Sequence, residues 1–135
     1  MSSTRITYVK EHDCLLLTYG EIGLRTPADV AVLREELTPK LAGFRRRMEL
    51  VTNFGGLVVK PAAARAFAEL RARLVERYIL RTYRFGGTAA IRTAVHTSAV
   101  ISNTPSRLFA TYEQAIEAML RDRAASTPPP SDRDR

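Results

Sequence analysis

The alternation of apolar and polar residues near the N-terminus predicts a β-hairpin. Residues 5–10 place Ile6 and Tyr8 against polar neighbours, which is typical of a half-buried strand. Residues 14–19 are more continuously apolar and predict a second strand that is buried more deeply. The polar residues 11–13 separate the two strands, and they predict the turn that joins them into a hairpin.

A helical pattern follows a predicted loop at residues 20–25. Thr26 is suited to cap this helix and Pro27 to occupy its first position, where an N–H group would lack a partner. The apolar residues of the helix share one face: Val30, Leu33 and Leu37. We expect Pro39 to stop or kink the helix, because a proline inside a helix removes one hydrogen bond and clashes with the preceding turn.

The strongest pattern in the chain runs from residue 48 to residue 78. Residues 48–52 predict a buried strand, residues 53–56 predict a sharp glycine turn, and a long helix begins at Pro61. The apolar residues of that helix recur at three- and four-residue spacing: Ala63, Phe67, Leu70, Leu74 and Tyr78. Such a stripe predicts packing against the core, and the alternative is a stripe that binds a partner helix.

The C-terminal part repeats the alternation of strand and helix. Residues 79–85 are β-rich, Gly86 and Gly87 end that strand, and Thr88 can cap a helix. The apolar side of this helix carries Ile91, Val95 and Ala99. Residues 107–110 predict a short strand, and residues 111–114 have the spacing of a capping box. The last apolar face then consists of Tyr112, Ile116, Met119 and Leu120.

The predicted order of elements is β, β, α, β, α, β, α, β, α. It indicates a single α/β domain with a mixed, mostly parallel sheet of about five strands, an N-terminal hairpin whose edge strand is antiparallel, and about four helices. We expect this domain to span residues 5–123. Residues 1–4 and 124–135 are predicted to be disordered, because the C-terminal segment consists of Ser, Thr, three prolines and alternating Asp and Arg.

Composition agrees with one globular domain. The chain has 135 residues, of which 45% are hydrophobic and 26% charged. It lacks a run of about eighteen apolar residues that would predict a transmembrane helix, and its N-terminus lacks the apolar core of a signal peptide. Cys14 is the only cysteine, so an internal disulfide cannot form. These features favour the cytoplasm.

The net charge of +7 comes from eighteen arginines and three lysines against fourteen acidic residues. Such a balance fits nucleic acid, an anionic membrane or an acidic protein as partner. Only residues 45–47 form a basic run, and aromatic residues do not alternate with the basic ones as they do in a base-stacking platform. The sequence therefore disfavours nucleic-acid binding.

Two Phe-Gly-Gly turns are the candidate ligand site. Both follow predicted strands, and ligands of open α/β sheets bind beyond the carboxyl ends of the strands. The residues that could bring N–H groups to an anion are Gly55, Gly56, Gly86, Gly87 and Thr88. Neither turn matches a dinucleotide-binding or P-loop motif. The alternative is turn geometry alone, in which glycine relieves the strain of a positive φ.

Residues with catalytic chemistry are sparse in this sequence. His12, Asp13 and Cys14 are adjacent, but neighbours along a hairpin end point in different directions, and a nucleophile needs its base within hydrogen-bond reach. His96 stands alone in the third predicted helix. We therefore predict no catalytic residue, no metal ligand and no cofactor.

The C-terminal run also carries a family resemblance. Residues 85–87 lead into Ile-Arg-Thr-Ala-Val at 91–95, and residues 107–109 lead into the acidic, alanine-bearing segment 112–120. Together with the hairpin and the central strand and helix, this run resembles the SpoIIAA-like superfamily, which contains STAS domains and STAS/SEC14-type proteins. The resemblance covers most of residues 5–123. It implies a four-helix, mixed-sheet domain that serves as a regulatory interaction module, here in the bacterial cytoplasm.

The sequence departs from that superfamily at its regulatory switch. The resemblance implies that anti-sigma-factor antagonists of this kind are switched by phosphorylation of a serine at the start of the helix that follows the central strand. Here the corresponding residues 57–61 read Leu-Val-Val-Lys-Pro, without Ser or Thr. The resemblance therefore carries over the fold and the interaction role, but not the phosphorylation.

The predicted function is a non-enzymatic module that binds another protein in a regulatory role. Three consecutive apolar residues, 57–59, cannot all point inward, so at least one of them should meet solvent or a partner. The predicted partner-binding residues are Asn53, Phe54, Leu57, Val58, Val59 and Lys60. The alternative is a SEC14-like carrier of a small ligand or lipid. The partner's identity and the oligomeric state stay open, and a homo-oligomer is compatible with the pattern.

Overall fold

The fold is described from a computed structural model that covers residues 4–89, 91–93, 95–96 and 107–126. Seven strands lie in this part of the chain: β1 Thr4–Val9, β2 Cys14–Tyr19, β3 Ile22–Leu24, β4 Met48–Asn53, β5 Leu57–Val59, β6 Ile79–Phe85 and β7 Leu108–Phe109. The helices are α1 Pro27–Ala42, α2 Pro61–Tyr78, α3 with the helical residues 89, 91–93 and 95–96, and α4 Tyr112–Ser126. The predicted position of Ala99 lies outside the described residues.

The main sheet has five strands in the order β1-β2-β4-β6-β7. β1 pairs with β2 in antiparallel register, with Thr4 opposite Tyr19. The other three pairs, β2–β4, β4–β6 and β6–β7, are parallel. This arrangement confirms the predicted mixed, mostly parallel sheet with an N-terminal hairpin and an antiparallel edge strand.

Each face of the main sheet packs against a different set of helices. On one face, Leu50 of β4 joins the core that includes the apolar stripes of α1 and α2. On the other face, Val51 of β4 and Tyr83 of β6 pack against Ala115 and Met119 of α4. Neighbouring residues of a strand point to opposite faces, so burial of both Leu50 and Val51 follows from helices covering both sides.

The predicted loop at residues 20–25 contains β3, which is one strand of a second, two-stranded sheet. β3 pairs in parallel with β5, with Gly23 opposite Val58, and the N–H of Lys60 extends the pairing by donating to the carbonyl of Leu24 at 2.8 Å. A three-residue strand with a glycine at its centre is too short to show an alternating pattern, which is why the sequence predicted a loop here.

Pro39 does not stop α1, which was one of the two effects predicted for it. The helix continues to Ala42, and Leu41, beyond the proline, is buried in the core. The ammonium group of Lys40 donates to the backbone carbonyl of Thr4 at 2.9 Å and to its hydroxyl at 3.0 Å. The packing of Leu41 and the hydrogen bonds of Lys40 hold the last turn of α1 against β1. They offset the loss of the one hydrogen bond that proline cannot make.

The first strand and the last helix extend slightly beyond residues 5–123, and one predicted core residue differs from the structure. β1 begins at Thr4, which is buried and donates its hydroxyl to Glu36 at 2.6 Å, and α4 extends past residue 123 to Ser126. Residues 1–3 and 127–135 lie outside the described part. On α4, Leu120 is 42% exposed, whereas Ala118 is buried.

Candidate functional site

The structure brings the two Phe-Gly-Gly turns together at the carboxyl ends of β4 and β6. Asn53 and Phe85 are opposite each other in the parallel pair, and the N–H of Phe54 donates to the carbonyl of Phe85 at 3.1 Å. The side-chain oxygen of Asn53 accepts the N–H of Gly55 at 2.9 Å. The two turns therefore form one continuous segment of surface above the sheet.

The glycines of these turns are required by backbone geometry and close packing. Gly55, Gly86 and Gly87 have φ values of +46°, +75° and +84°, which residues with a side chain rarely adopt. A Cβ atom on Gly55 would lie 2.6 Å from the carbonyl oxygen of Tyr19, and one on Gly86 would lie 2.8 Å from the amide oxygen of Asn53. Turn geometry thus accounts for these glycines, and their use by a ligand stays a prediction.

The other two candidate ligand residues are also in contact with the protein. A Cβ atom on Gly56 would lie 3.0 Å from the side chain of Glu21. The hydroxyl of Thr88 accepts the N–H of Ile91 at 3.2 Å, which confirms that Thr88 caps α3. Capping occupies the hydroxyl oxygen of Thr88.

We expect Gly87→Ala to lower the free energy of unfolding by about 1–3 kcal/mol, because alanine would be held at a strained positive φ. Its Cβ would also lie 2.4 Å from the Ile91 side chain and 2.9 Å from that of Phe54. The matched control is Gly23→Ala in β3, where the new Cβ would meet only Arg25, at 4.0 Å. Urea denaturation of both variants measures the difference, and equal midpoints would show that the turn relaxes without cost.

The structure divides the predicted partner-binding residues into two groups. Phe54 and Leu57, at 1% and 0% exposure, are core residues, and they are not available to a partner. Phe54 stacks on the ring of Tyr19 with a centroid distance of 6.0 Å. The residues that reach the surface are Asn53, Val58, Val59 and Lys60, and we call these four the β5 surface.

Alternation along β5 explains this division. Leu57 points inward, Val59 is half-buried against the core, and Val58 between them is 39% exposed. Because β5 is a strand, successive side chains point to opposite sides. The sequence predicted that at least one residue of the triplet would meet solvent or a partner, and the strand geometry makes Val58 the exposed one.

The N-terminal end of α2 adjoins the β5 surface. Lys60 is the N-cap residue of α2, and its side chain makes no capping hydrogen bond. The N-terminal end of a helix carries partial positive charge, and the exposed ammonium of Lys60 adds to it. The β5 surface therefore combines one exposed apolar side chain, Val58, with the positive charge of Lys60 at the start of α2.

A buried ionic cluster on the opposite face of the sheet was missed at the sequence level. Glu49 of β4 has a side chain that is 7% exposed. It accepts hydrogen bonds from Arg81 of β6 at 2.9 Å and from two nitrogens of Arg123 of α4 at 3.0 and 3.2 Å. Arg123 also donates to the backbone carbonyl of Asp13 at 2.8 Å. This cluster ties the C-terminal helix to the centre of the sheet and to the hairpin turn.

At the turn of the hairpin, Cys14 is buried and Asp13 is bonded to neighbouring side chains. Burial raises the pKa of the Cys14 thiol to about 11, so the thiol is protonated at neutral pH. The carboxylate of Asp13 accepts hydrogen bonds from the hydroxyl of Tyr8 at 2.6 Å and from Arg46 at 2.5 Å. Asp13 is therefore engaged with the strand and loop beside it.

In residues 4–89, 91–93, 95–96 and 107–126, no three His, Cys, Asp or Glu side chains come together as a metal site would require. In the same part of the chain, every helix falls short of the length and apolar character needed to span a bilayer.

Comparison with known proteins identifies the fold. No protein-family model matches the sequence, and no curated protein matches it. Among solved structures, the chain is similar to murine Solute Carrier 26 family member A9, an anion transporter in its inward-facing state, with a TM-score of 0.57 and 15% sequence identity. The match covers 76% of this chain and 17% of that one. At this identity the likeness concerns the fold alone, and the fold is STAS-like, as the sequence resemblance implied.

Proposed function

We propose that this chain is a non-enzymatic regulatory module of the bacterial cytoplasm that binds another protein through the β5 surface. The observation that carries the proposal is the exposure of Val58, an apolar side chain held outward by a strand whose neighbouring residue, Leu57, is fixed in the core. A rigid strand presents such a side chain at low entropic cost, which favours its use as an interface anchor.

The electrostatics of the β5 surface favour an acidic partner. The uncapped start of α2 and the ammonium of Lys60 lie beside Val58. The chain as a whole carries a net charge of +7. A partner that offers an apolar pocket for Val58 flanked by carboxylates would match both features. Because residues 57–61 contain no Ser or Thr, the contact would be constitutive rather than controlled by phosphorylation at this position.

We expect Val58→Asp to weaken binding of the partner at least tenfold, because a carboxylate at the anchor position cannot be buried without a paired charge. The measurement is quantitative affinity purification of the tagged full-length chain, followed by titration of the recovered partner. The matched control is Val32→Asp, since Val32 of α1 is 66% exposed and lies outside the β5 surface. Both variants should melt within a few degrees of the wild-type protein.

Two results would overturn the proposed interface. One is full binding by a Val58→Asp protein that melts like the wild type. The other is equal loss of binding by Val58→Asp and Val32→Asp, which would indicate a general charge effect instead of a local contact.

The cavity below the Phe-Gly-Gly turns gives no support to the alternative carrier function. A site for a lipid or drug-sized ligand needs a cavity of about 300–1,000 Å³. The cavity that lies between the sheet and α2, below the Phe-Gly-Gly turns, has a volume of about 30 Å³. That volume is too small for an acyl chain.

A further inference from the structure

The two edges of the main sheet differ in length and regularity. β7, at one edge, consists only of Leu108 and Phe109. β1, at the other edge, has six residues, and each of them is paired with β2 in an unbroken register from Thr4 to Val9. In the part of the chain that the structure describes, no strand lies on the outer side of β1. β1 is therefore a long, regular strand with one edge open to pairing.

Edge strands of natural proteins carry features that prevent pairing with a further strand, and β1 has few of them. Those features include short length, proline, β-bulges and several charged side chains. β1 contains no proline, and its register with β2 shows no bulge. Arg5 is the single charged residue within the strand. An edge that keeps this regularity indicates a surface for strand pairing.

The backbone groups of Ile6 and Tyr8 point to the open edge. The carbonyl of Val9 accepts an N–H group of the hairpin turn at 3.2 Å, so it points towards β2. Carbonyl groups alternate in direction along a strand, so those of Tyr8, Ile6 and Thr4 point away from β2. The hydrogen bond of Thr4 agrees with this direction, because its carbonyl accepts the ammonium of Lys40 of α1 at 2.9 Å.

The sequence of β1 is complementary to itself when two copies pair about a two-fold axis at Thr7. In this antiparallel register, Ile6 of each copy lies opposite Tyr8 of the other, and pairs of a β-branched and an aromatic residue are stabilising. Arg5 lies opposite Val9 of the second copy, so like charges do not face each other directly. The outward N–H and C=O groups of Ile6 and Tyr8 meet those of the second copy, as an antiparallel ladder requires.

We propose that two copies of this chain associate through β1 and join their main sheets into one continuous sheet. The second copy is the occupant of the open edge because β1 is complementary to itself in the register centred on Thr7. Tyr8, which is 44% exposed in the single chain, gains Ile6 of the second copy as a neighbour. A contact made by one short strand of each copy is a small interface, so we expect a weak and reversible dimer. The β1 edge shares no residue with the β5 surface, and the proposal does not depend on binding there.

The first test is sedimentation equilibrium of the full-length chain at protein concentrations from about 1 µM to about 1 mM, a range that includes weak association. We expect the mean mass to rise from 15.1 kDa towards twice that value. Each copy carries a net charge of +7, so added salt should strengthen the dimer by screening the repulsion between copies. A wild-type protein that stays monomeric over this range would overturn the proposal.

Charged substitutions at Thr7 test the register. Thr7 is exposed and lies on the two-fold axis, so Thr7→Lys or Thr7→Glu sets two like charges opposite each other and should weaken the dimer about fivefold. An equimolar mixture of Thr7→Lys and Thr7→Glu should associate again, because opposite charges then meet. Ala72→Lys is the matched control, since Ala72 of α2 is also exposed, and it should keep the wild-type dimer. A folded Thr7→Lys protein that dimerises like Ala72→Lys would disprove pairing through β1.

A disulfide across the two-fold axis detects the same pairing independently of the charged variants, including the case in which Thr7→Lys does not fold. Residues opposite each other in a non-hydrogen-bonded antiparallel pair have Cα atoms about 4.5 Å apart, which a disulfide can bridge. Mild oxidation of Thr7→Cys should therefore yield a covalent dimer, while the native Cys14 is buried and does not react. Ala72→Cys is the control and should stay monomeric. Equal yields of dimer from the two variants, or no dimer from Thr7→Cys, would contradict the proposal.

Discussion

Replacement of Glu49 by glutamine is expected to lower the free energy of unfolding by about 3 kcal/mol. The substitution keeps the shape of the side chain but leaves Arg81 and Arg123 without the carboxylate that both contact. Loss of one partner from a buried ion pair costs about 3–5 kcal/mol. We expect the lower end of that range, because the two arginine side chains are 27% and 28% exposed and can turn towards water.

The effect of Glu49→Gln should depend on pH in a defined direction. Burial of Glu49 opposes its ionisation, but hydrogen bonds from Arg123 and Arg81 outweigh burial, and the pKa of Glu49 lies below its ordinary value of 4.5. The ionised carboxylate therefore stabilises the folded state fully above that value, and the stabilisation is lost as the pH falls through the lowered pKa. The difference in free energy of unfolding between the wild type and Glu49→Gln should therefore become smaller as the pH falls below 4.5.

Urea denaturation at neutral pH and at several acidic pH values measures both effects. The control is Glu69→Gln, which breaks the exposed pair with Arg65 on α2. Exposed pairs contribute little, so this control should change stability by less than about 0.5 kcal/mol. A Glu49→Gln protein as stable as the control would mean that water replaces the carboxylate in the cluster. Asp13 and Asp122 titrate in both the wild type and Glu49→Gln. Their contributions to the pH dependence of stability therefore cancel when the two proteins are compared.

Leu70→Ala is expected to lower the free energy of unfolding by about 2–5 kcal/mol, because a buried leucine loses both its transfer free energy and the contacts around the new cavity. Leu70 is 5% exposed and belongs to the core that α1 and α2 share with the sheet. The size of the loss within that range depends on how far α1 can move into the cavity that the shortened side chain leaves.

The same substitution at an exposed leucine serves as the control for Leu70→Ala. Leu80 of β6 is 49% exposed, so Leu80→Ala should cost much less than Leu70→Ala. The two variants are compared by their denaturant midpoints, provided that the slope of the free energy of unfolding against denaturant concentration is unchanged. An unchanged midpoint for Leu70→Ala would require α2 to pack through a different face.

Local patterns were enough to predict most of the main sheet and its helices. Four of the five residues predicted for the stripe of α2 are buried, namely Ala63, Phe67, Leu70 and Leu74. The fifth, Tyr78, is partly buried against the same core. The boundaries of β2 and β6 agree with the predicted 14–19 and 79–85. These features depend on the direction in which neighbouring side chains point, which follows from the backbone period of a helix or a strand. The period is contained in the sequence itself.

Pairing between distant residues was decided only by the tertiary structure. β3 acquires its strand geometry from β5, which lies more than thirty residues later, and Arg123 reaches Glu49 across 74 residues. The exposure of Val58 and the burial of Phe54 likewise depend on which elements cover β5 and the turn.

The sequence by itself thus determined the elements, their order and the core face of each helix, because these follow from interactions within a few residues. It did not determine the pairing of Glu49 with two arginines. Charged residues carry no periodic signal when they pair across the sheet, since their partners are set by strand order and by helix placement. Only folding into the tertiary structure brings these charged side chains close enough to form hydrogen bonds or to interact electrostatically.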